Sequence, residues 1–308
     1  MKNEYYYKLY GLTVKSEVPI PQALSITTEN EILKPDVEVV LGQVPLPLQE
    51  VGEKGYGSWI KGFEAAWFNT KGTAQYFISG GNKIVIHPYD NPNEKLMISM
   101  ILSAGMSLIL LQRNDPVLHG SVIEKAGYAY IICGNSGAGK STVTMDLLED
   151  KDVMFMADDT VRLVIENGMV FCHPTYPQQK VCRDLACRMG LDLNTMVYID
   201  EGRDKFALKR HDKYYDRTAP LKAIFILNKD NETKKVNSKQ IRGINYVYEV
   251  IDNLYLADNY KRDIGVPHEF MEFINFMYKQ VDIYQITRPI EGNTVREVAD
   301  MIRFLQSC

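Results

Sequence analysis

Residues 128–141 of the 308-residue chain read YAYIICGNSGAGKS. The first six are apolar or aromatic and make a short buried strand. The next eight, 134–141, fit G-x-x-x-x-G-K-[ST], the pattern of a phosphate-binding loop. Glycines at 134, 137 and 139 permit a tight backbone path, so that successive N–H groups point inward as a nest for phosphate oxygens. Lys140 adds a mobile positive charge at the β and γ phosphates, and the Ser141 hydroxyl is of the type that ligates magnesium. The stretch expected to wrap the phosphates is Gly134, Asn135, Ser136, Gly137, Ala138, Gly139, Lys140, Ser141 and Thr142. Residues 141–149 carry Val143, Leu147 and Leu148 on one face, which predicts a helix whose N-terminal dipole end adds to the anion site.

Downstream, the helix ends near the charged run 149–152, and an apolar strand, 153–157, leads into Asp158 and Asp159. A strand ending in acid beside a phosphate loop is a common way to hold magnesium opposite the loop hydroxyl. Two successive carboxylates in extended chain point to opposite sides. One can then address a metal shell while the other faces an incoming hydroxyl as general base. Asp pairs are also common in plain turns. Residues 160–166 alternate, Asn167-Gly168 is a type I′ turn signal, and 169–172 return. An antiparallel hairpin here does not fit an all-parallel doubly wound sheet, so a mixed sheet is expected.

Upstream, 117–124 and 128–133 flank Lys125-Ala126-Gly127 and read as a second hairpin. Pairing 124 with 128 sets 119 opposite 133, which places His119 next to the mouth of the loop. His87, His173 and His211 show no metal-ligand spacing and are read as structural.

Composition limits the remaining classes. With 45% hydrophobic and 24% charged residues, collagen-like, disordered and disulfide-scaffold chains are excluded. A net charge of −4 argues against a protein whose main task is gripping nucleic acid or anionic lipid. Five cysteines (Cys133, Cys172, Cys182, Cys187, Cys308) lack metal spacing and read as reduced thiols in a cytoplasmic protein. Residues 1–8 carry no apolar export segment. Residues 96–111 are apolar but fall short of the ~20 needed to span a bilayer and contain three serines, so a buried helix is expected rather than a membrane contact.

The length suggests two structural units. Residues 1–92 read as a small β-rich domain for docking or assembly, with strands at 5–14, 36–41, 56–68 and a hairpin of 73–78 with 83–88. Residues 93–115 read as a connecting helix and 116–308 as the catalytic unit. The last segment, 293–305, has Val295, Val298, Ala299, Ile302 and Leu305 at helical spacing behind an Asn cap. The expected class is α/β of the mixed α+β kind.

Leu118-His119-Gly120, then 134–141, then Ala157-Asp158-Asp159 resemble the core of HPr kinase/phosphorylase, within the group that includes ATP-dependent phosphoenolpyruvate carboxykinase. The resemblance covers roughly 116–174 well and the rest to the C-terminus more loosely. It implies a mixed-sheet P-loop kinase core, with ATP on 134–141, magnesium on Ser141 and Asp158, Asp159 as general base, and His119 tuning that carboxylate. Thr142 stands where the family has Glu, and YPQQKVCRD at 176–184 replaces a glycine-rich signature. The β-rich front is more similar to HPr-kinase-like proteins of modified-peptide gene clusters. The acceptor implied is a Ser or Thr hydroxyl of a peptide or small protein, and homo-oligomers are implied by the family. Lys180, Arg183, Lys205, Lys209 and Arg210 are candidates to neutralise the transferring phosphoryl group. A small-molecule hydroxyl kinase, for example on free serine, and an ATP-binding regulatory or assembly protein without transfer are the alternatives.

Overall fold

The computed structural model describes residues 4–27, 33–53, 57–61, 64–199 and 204–307. Residues 56 and 62–63, which fall within the strand expected over 56–68, and Cys308 lie outside them. The front of the chain supplies β1 (Tyr5–Leu9), β2 (Leu12–Ser16), β3 (Leu24–Ser25), β4 (Val37–Leu41), α1 (Leu46–Glu53), β5 (Gly57–Lys61), β6 (Ala65–Thr70), β7 (Ala74–Ser79) and β8 (Lys83–Pro88). The strands form one eight-stranded sheet in the order β3-β1-β2-β4-β8-β7-β6-β5. The expected single strand over 5–14 is two strands, because Tyr10 and Gly11 take φ of 55° and 74° and turn the chain back.

Helix α2 (Glu94–Met100), a π-helical segment (Ile101–Gly105) and α3 (Met106–Gln112) follow without a break. Together they make a helix long and apolar enough, by length and composition, to cross a membrane, but 72% of its apolar window is buried in the fold. Ile98, Ile101, Leu102, Ile109 and Leu110 pack against Val14, Ile78 and Ile84 of the front sheet. The apolar run is therefore accounted for by a core that covers it.

The remainder comprises β9 (Val117–Leu118), β10 (Gly120–Lys125), β11 (Tyr128–Gly134), α4 (Lys140–Leu147), β12 (Val153–Ala157), β13 (Val161–Glu166), β14 (Met169–Cys172), β15 (Gln178–Cys182), α5 (Arg183–Arg188), β16 (Val197–Ile199) and β17 (Lys205–Lys209). After these come β18 (Ala219–Asp230), β19 (Asn237–Ile241), α6 (Ile244–Asp252), α7 (Ala257–Asn259), α8 (His268–Met277), β20 (Asp282–Pro289) and α9 (Val295–Gln306). A nine-stranded sheet runs β12-β10-β11-β18-β14-β13-β9, with β20 beside β18 and β19 beside β20. Strands β11, β18 and β20 are parallel, whereas β10, β12, β14 and β19 join antiparallel. The class is thus mixed α/β.

This sheet is buried on both faces, which is why β11 reads as a continuous apolar run rather than an alternation. Ile131 and Ile224 face α6 and α8, with Tyr246, Phe270 and Ile274. Ile132 and Phe225 face α4 and α9, with Val143, Leu147, Val298 and Ile302. In α9 the spacing places Val298, Ala299 and Ile302 inside; Asn293 accepts the Val295 N–H at 3.4 Å, while Thr294 occupies the cap position without a side-chain bond. A small sheet, β15-β17-β16, attaches to α4 through Met145, Val181, Leu185 and Phe206.

Ile302→Ala should therefore cost about 2–5 kcal/mol of stability, since Ile302 is fully buried. Phe304→Ala on the same helix, at a side chain 64% exposed, should stay within about 0.5 kcal/mol. Urea unfolding of the two variants checks the docking of α9.

Candidate active site

The loop between β11 and α4 begins on a strand paired on both edges, antiparallel with β10 and parallel with β18, and ends on a helix N-terminus, the geometry of an anion site. Gly134, Gly137 and Gly139 take φ of 131°, 77° and 111°, a region that side chains rarely adopt. At Gly134 a Cβ would lie 2.5 Å from the Leu227 carbonyl oxygen, so β18 closes off any larger residue. Lys140 Nζ reaches back to the Gly134 carbonyl at 2.7 Å. Burial lowers its pKa from the ordinary lysine value.

Asp158 is buried and its two oxygens are claimed from different sides. Oδ1 accepts the Ser121 hydroxyl at 2.6 Å, and Oδ2 accepts the Lys180 N–H at 2.8 Å. A register shift in the β10–β12 pairing at Val122/Ile123 sets Val122 level with Ala157 and so brings Ser121 beside Asp158. Burial pushes the Asp158 carboxyl up, with the nearby Asp159 charge adding to it.

Asp159 does not continue the strand. Its φ is +74°, and the Thr160 N–H bonds back to the Asp158 carbonyl at 2.9 Å. A positive φ with a bond between residues two apart is the signature of the strained γ-turn. The expectation of extended backbone is thus corrected: the two carboxylates diverge because the chain turns left-handed between them. Asp159 Oδ2 lies 3.2 Å from Lys180 Nζ and Oδ1 lies 3.7 Å from His119 Nδ1. Burial alone would raise this carboxyl, but the charge and hydrogen bond of Lys180, with the charge of Lys205, outweigh it and hold it well below the usual carboxylate range.

His119 also needs a correction. The hairpin turn is two residues, Ala126 and Gly127, both with positive φ, so Lys125 pairs with Tyr128 and Gly120 with Cys133. His119 moves one place further, to the level of Gly134, where it interrupts the expected strand and its N–H bonds the Asn253 carbonyl at 2.8 Å. Burial, then the Lys140 charge, lowers its pKa, so the imidazole is held toward its neutral form.

His119, Ser136, Gly137, Gly139, Lys140, Ser141, Thr142, Asp158 and Asp159 line one cavity of about 270 Å³. Gly134, Asn135 and Ala138 support it from behind: Gly134 N–H meets Asn253 Oδ1, Asn135 accepts the Ala138 N–H, and Ala138 packs into the core. Of the five basic candidates, Lys180 and Lys205 line the cavity. Arg183 pairs with Asp204 on the surface, Lys209 is exposed, and Arg210 donates to Gln179, which in turn bonds the Ser141 carbonyl. Ser121 and Asn253 carried no sequence signal, since neither stands in a motif. Asp184, Leu185 and Arg188 of α5 also line the cavity and open onto an adjoining one of about 680 Å³.

Among the described residues no three His, Cys, Asp or Glu side chains gather as a metal cage. Magnesium needs none, being held by one or two carboxylates together with phosphate oxygens and water. Ser141 and Asp158 fit that short donor set, because each Asp158 oxygen keeps a second lone pair.

No protein-family model and no curated protein matches the chain. Among solved structures, the chain is similar to the HPr(Ser) kinase/phosphatase from Coxiella burnetii, at 11% identity and a TM-score of 0.32, over 62% of this chain and 95% of that one.

Lys180→Met should destabilise the protein by about 3 kcal/mol at neutral pH, the low end for breaking a buried pair, since the Asp159 side chain keeps 20% exposure. Asp159 is depressed in the folded state, so its contribution is present above the unfolded carboxylate pKa of about 3.9 and is lost as pH falls through the folded value. Urea titrations should therefore show the gap between the two proteins wide at pH ~7 and narrowing below pH ~4.

Proposed function

We propose that the chain is a phosphotransferase that moves the γ-phosphoryl group of ATP to a Ser or Thr hydroxyl of a peptide or small protein. The observation that carries this reading is the placement of Asp159, held ionised by Lys180, in the same cavity as Lys140 and Ser141 of the phosphate loop. An anion nest facing an ionised carboxylate suits a reaction in which a polyanion must be neutralised while a hydroxyl loses its proton.

In this reading the backbone of 134–141 cradles the β and γ phosphates, and Lys140 leaves the Gly134 carbonyl to meet them. Ser141 and Asp158 would hold magnesium, which when bound neutralises charge on the β and γ oxygens. Asp159 orients the acceptor hydroxyl and takes its proton as the new P–O bond forms and the bond to the β-phosphate oxygen breaks. Its low basicity is compatible with this, because a loose transition state asks mainly for positioning and the proton leaves late. Neutral His119 beside Asp159 can share that proton, and Lys180 with Lys205 balances the charge of the transferring group.

Asp159→Asn should abolish transfer while leaving the dissociation constant for Mg-ATP within about threefold, and Lys140→Ala should weaken nucleotide binding by at least about tenfold, the cost of a lost charge-assisted contact. Incubation with γ-labelled ATP and hydroxyl-bearing peptides, alongside calorimetry with Mg-ATP, reads both. Retained transfer in the Asp159 variant would remove the base assignment, and transfer to free serine in preference to peptides would move the acceptor to small molecules.

A further inference from the structure

The strained turn at Asp159 is gripped by the front of the chain. Thr160 is 1% exposed and its hydroxyl meets the hydroxyl of Tyr10, a fully buried residue of the β1–β2 turn. Tyr10 has one phenolic proton, and it goes to the Leu102 carbonyl at 2.7 Å, so Thr160 is the donor to Tyr10. Leu102 belongs to the π-helical segment, where the hydrogen-bond ladder is displaced and the Met106 N–H goes to the Ile101 and Ser103 carbonyls rather than to Leu102. The Tyr10 carbonyl is held in turn by Arg162 Nη1 at 2.8 Å, and Arg162 also binds Asp115.

The turn itself breaks a local rule. Tyr10 and Gly11 occupy the two positive-φ positions of a type I′ hairpin, where Asn-Gly is the unstrained choice, and a bulky residue there is an outlier. Gly11 packs so tightly that a Cβ would fall 2.1 Å from His173 Nδ1. Strained backbone persists only where its surroundings over-determine it. Here two strained turns, at Tyr10 and at Asp159, are joined through one hydroxyl pair.

We infer that Tyr10 is a positioning residue: through Thr160 it holds the Asp158-Asp159-Thr160 turn in the form that aims Asp159 into the cavity, so the front sheet completes the active site. This rests on the phosphotransfer reading for its catalytic consequence but not for its structural one. A relaxed γ-turn would swing the Asp159 carboxylate away from the acceptor while leaving the phosphate loop intact.

The test uses the full chain and four variants, Tyr10→Phe, Thr160→Val, Thr160→Ser and the Tyr10→Phe/Thr160→Val double. Tyr10→Phe and Thr160→Val should each lower kcat by about 10- to 100-fold, the scale of a misplaced catalytic group, with the dissociation constant for Mg-ATP changed less than about twofold. Thr160→Ser, which keeps the hydroxyl, should retain the rate, and the double variant should fall no further than either single one. Amide exchange at Thr160 should quicken in Tyr10→Phe and Thr160→Val and stay at the parent rate in Thr160→Ser. Additive losses, or unchanged exchange at Thr160 in Tyr10→Phe, would overturn the inference. If the parent protein transfers no phosphoryl group, the functional reading fails instead, and the exchange rates still decide the role of Tyr10.

Discussion

One buried carboxylate organises the site. The Asp158 carboxyl inside the protein is tolerable only if its oxygens find donors, and it finds them on two separate sheets: the Ser121 hydroxyl of β10 in the nine-stranded sheet and the Lys180 N–H of β15 in the small one. The same residue that donates its N–H to Asp158 places its ammonium on Asp159. The need to satisfy one buried carboxyl group thus fixes the position of the lysine that faces the next.

The glycine-rich loop leaves the interior of the nine-stranded sheet. It leaves the C-terminal end of β11, beside the parallel strands β18 and β20, the edge at which open α/β sheets bind ligands. Lys229 and Arg288, paired in register at the ends of those two strands, close the loop's far flank, and Arg288 donates to the Ala138 carbonyl at 3.3 Å. Asn253, at the end of α6, donates no charge but ties the Gly134 N–H and the His119 N–H to one residue. Loop and histidine are therefore held together by the end of α6, and the carboxylates by β10 and β15.

What could be read in advance was local. The loop, the strand into Asp158 and the Asn167-Gly168 hairpin depend on short-range sterics and apolar periodicity, and each forms where the residues point. Register was less legible: a turn of two residues instead of three moved His119 by one position, because Ala126 adopts a positive φ that its side chain does not advertise. The same kind of exception hid the β1–β2 turn, since Tyr10 is an unlikely residue for a left-handed position. The five basic candidates were indistinguishable as a charge pattern. Packing separated them, burying Lys180 against Asp159 and leaving Arg183 on the surface with Asp204.

By itself the amino-acid sequence determined a glycine-rich strand-loop-helix, a following acidic pair and a mixed α/β architecture, because glycine conformations, strand periodicity and turn chemistry act over a few residues. Only the tertiary structure decided which acid is held ionised, which lysine does so and that the front sheet reaches the turn at Asp159. Those outcomes depend on donors brought together from residues 10, 121, 160 and 180. Burial sets their worth, and no local pattern in the chain records which distant groups will be buried together.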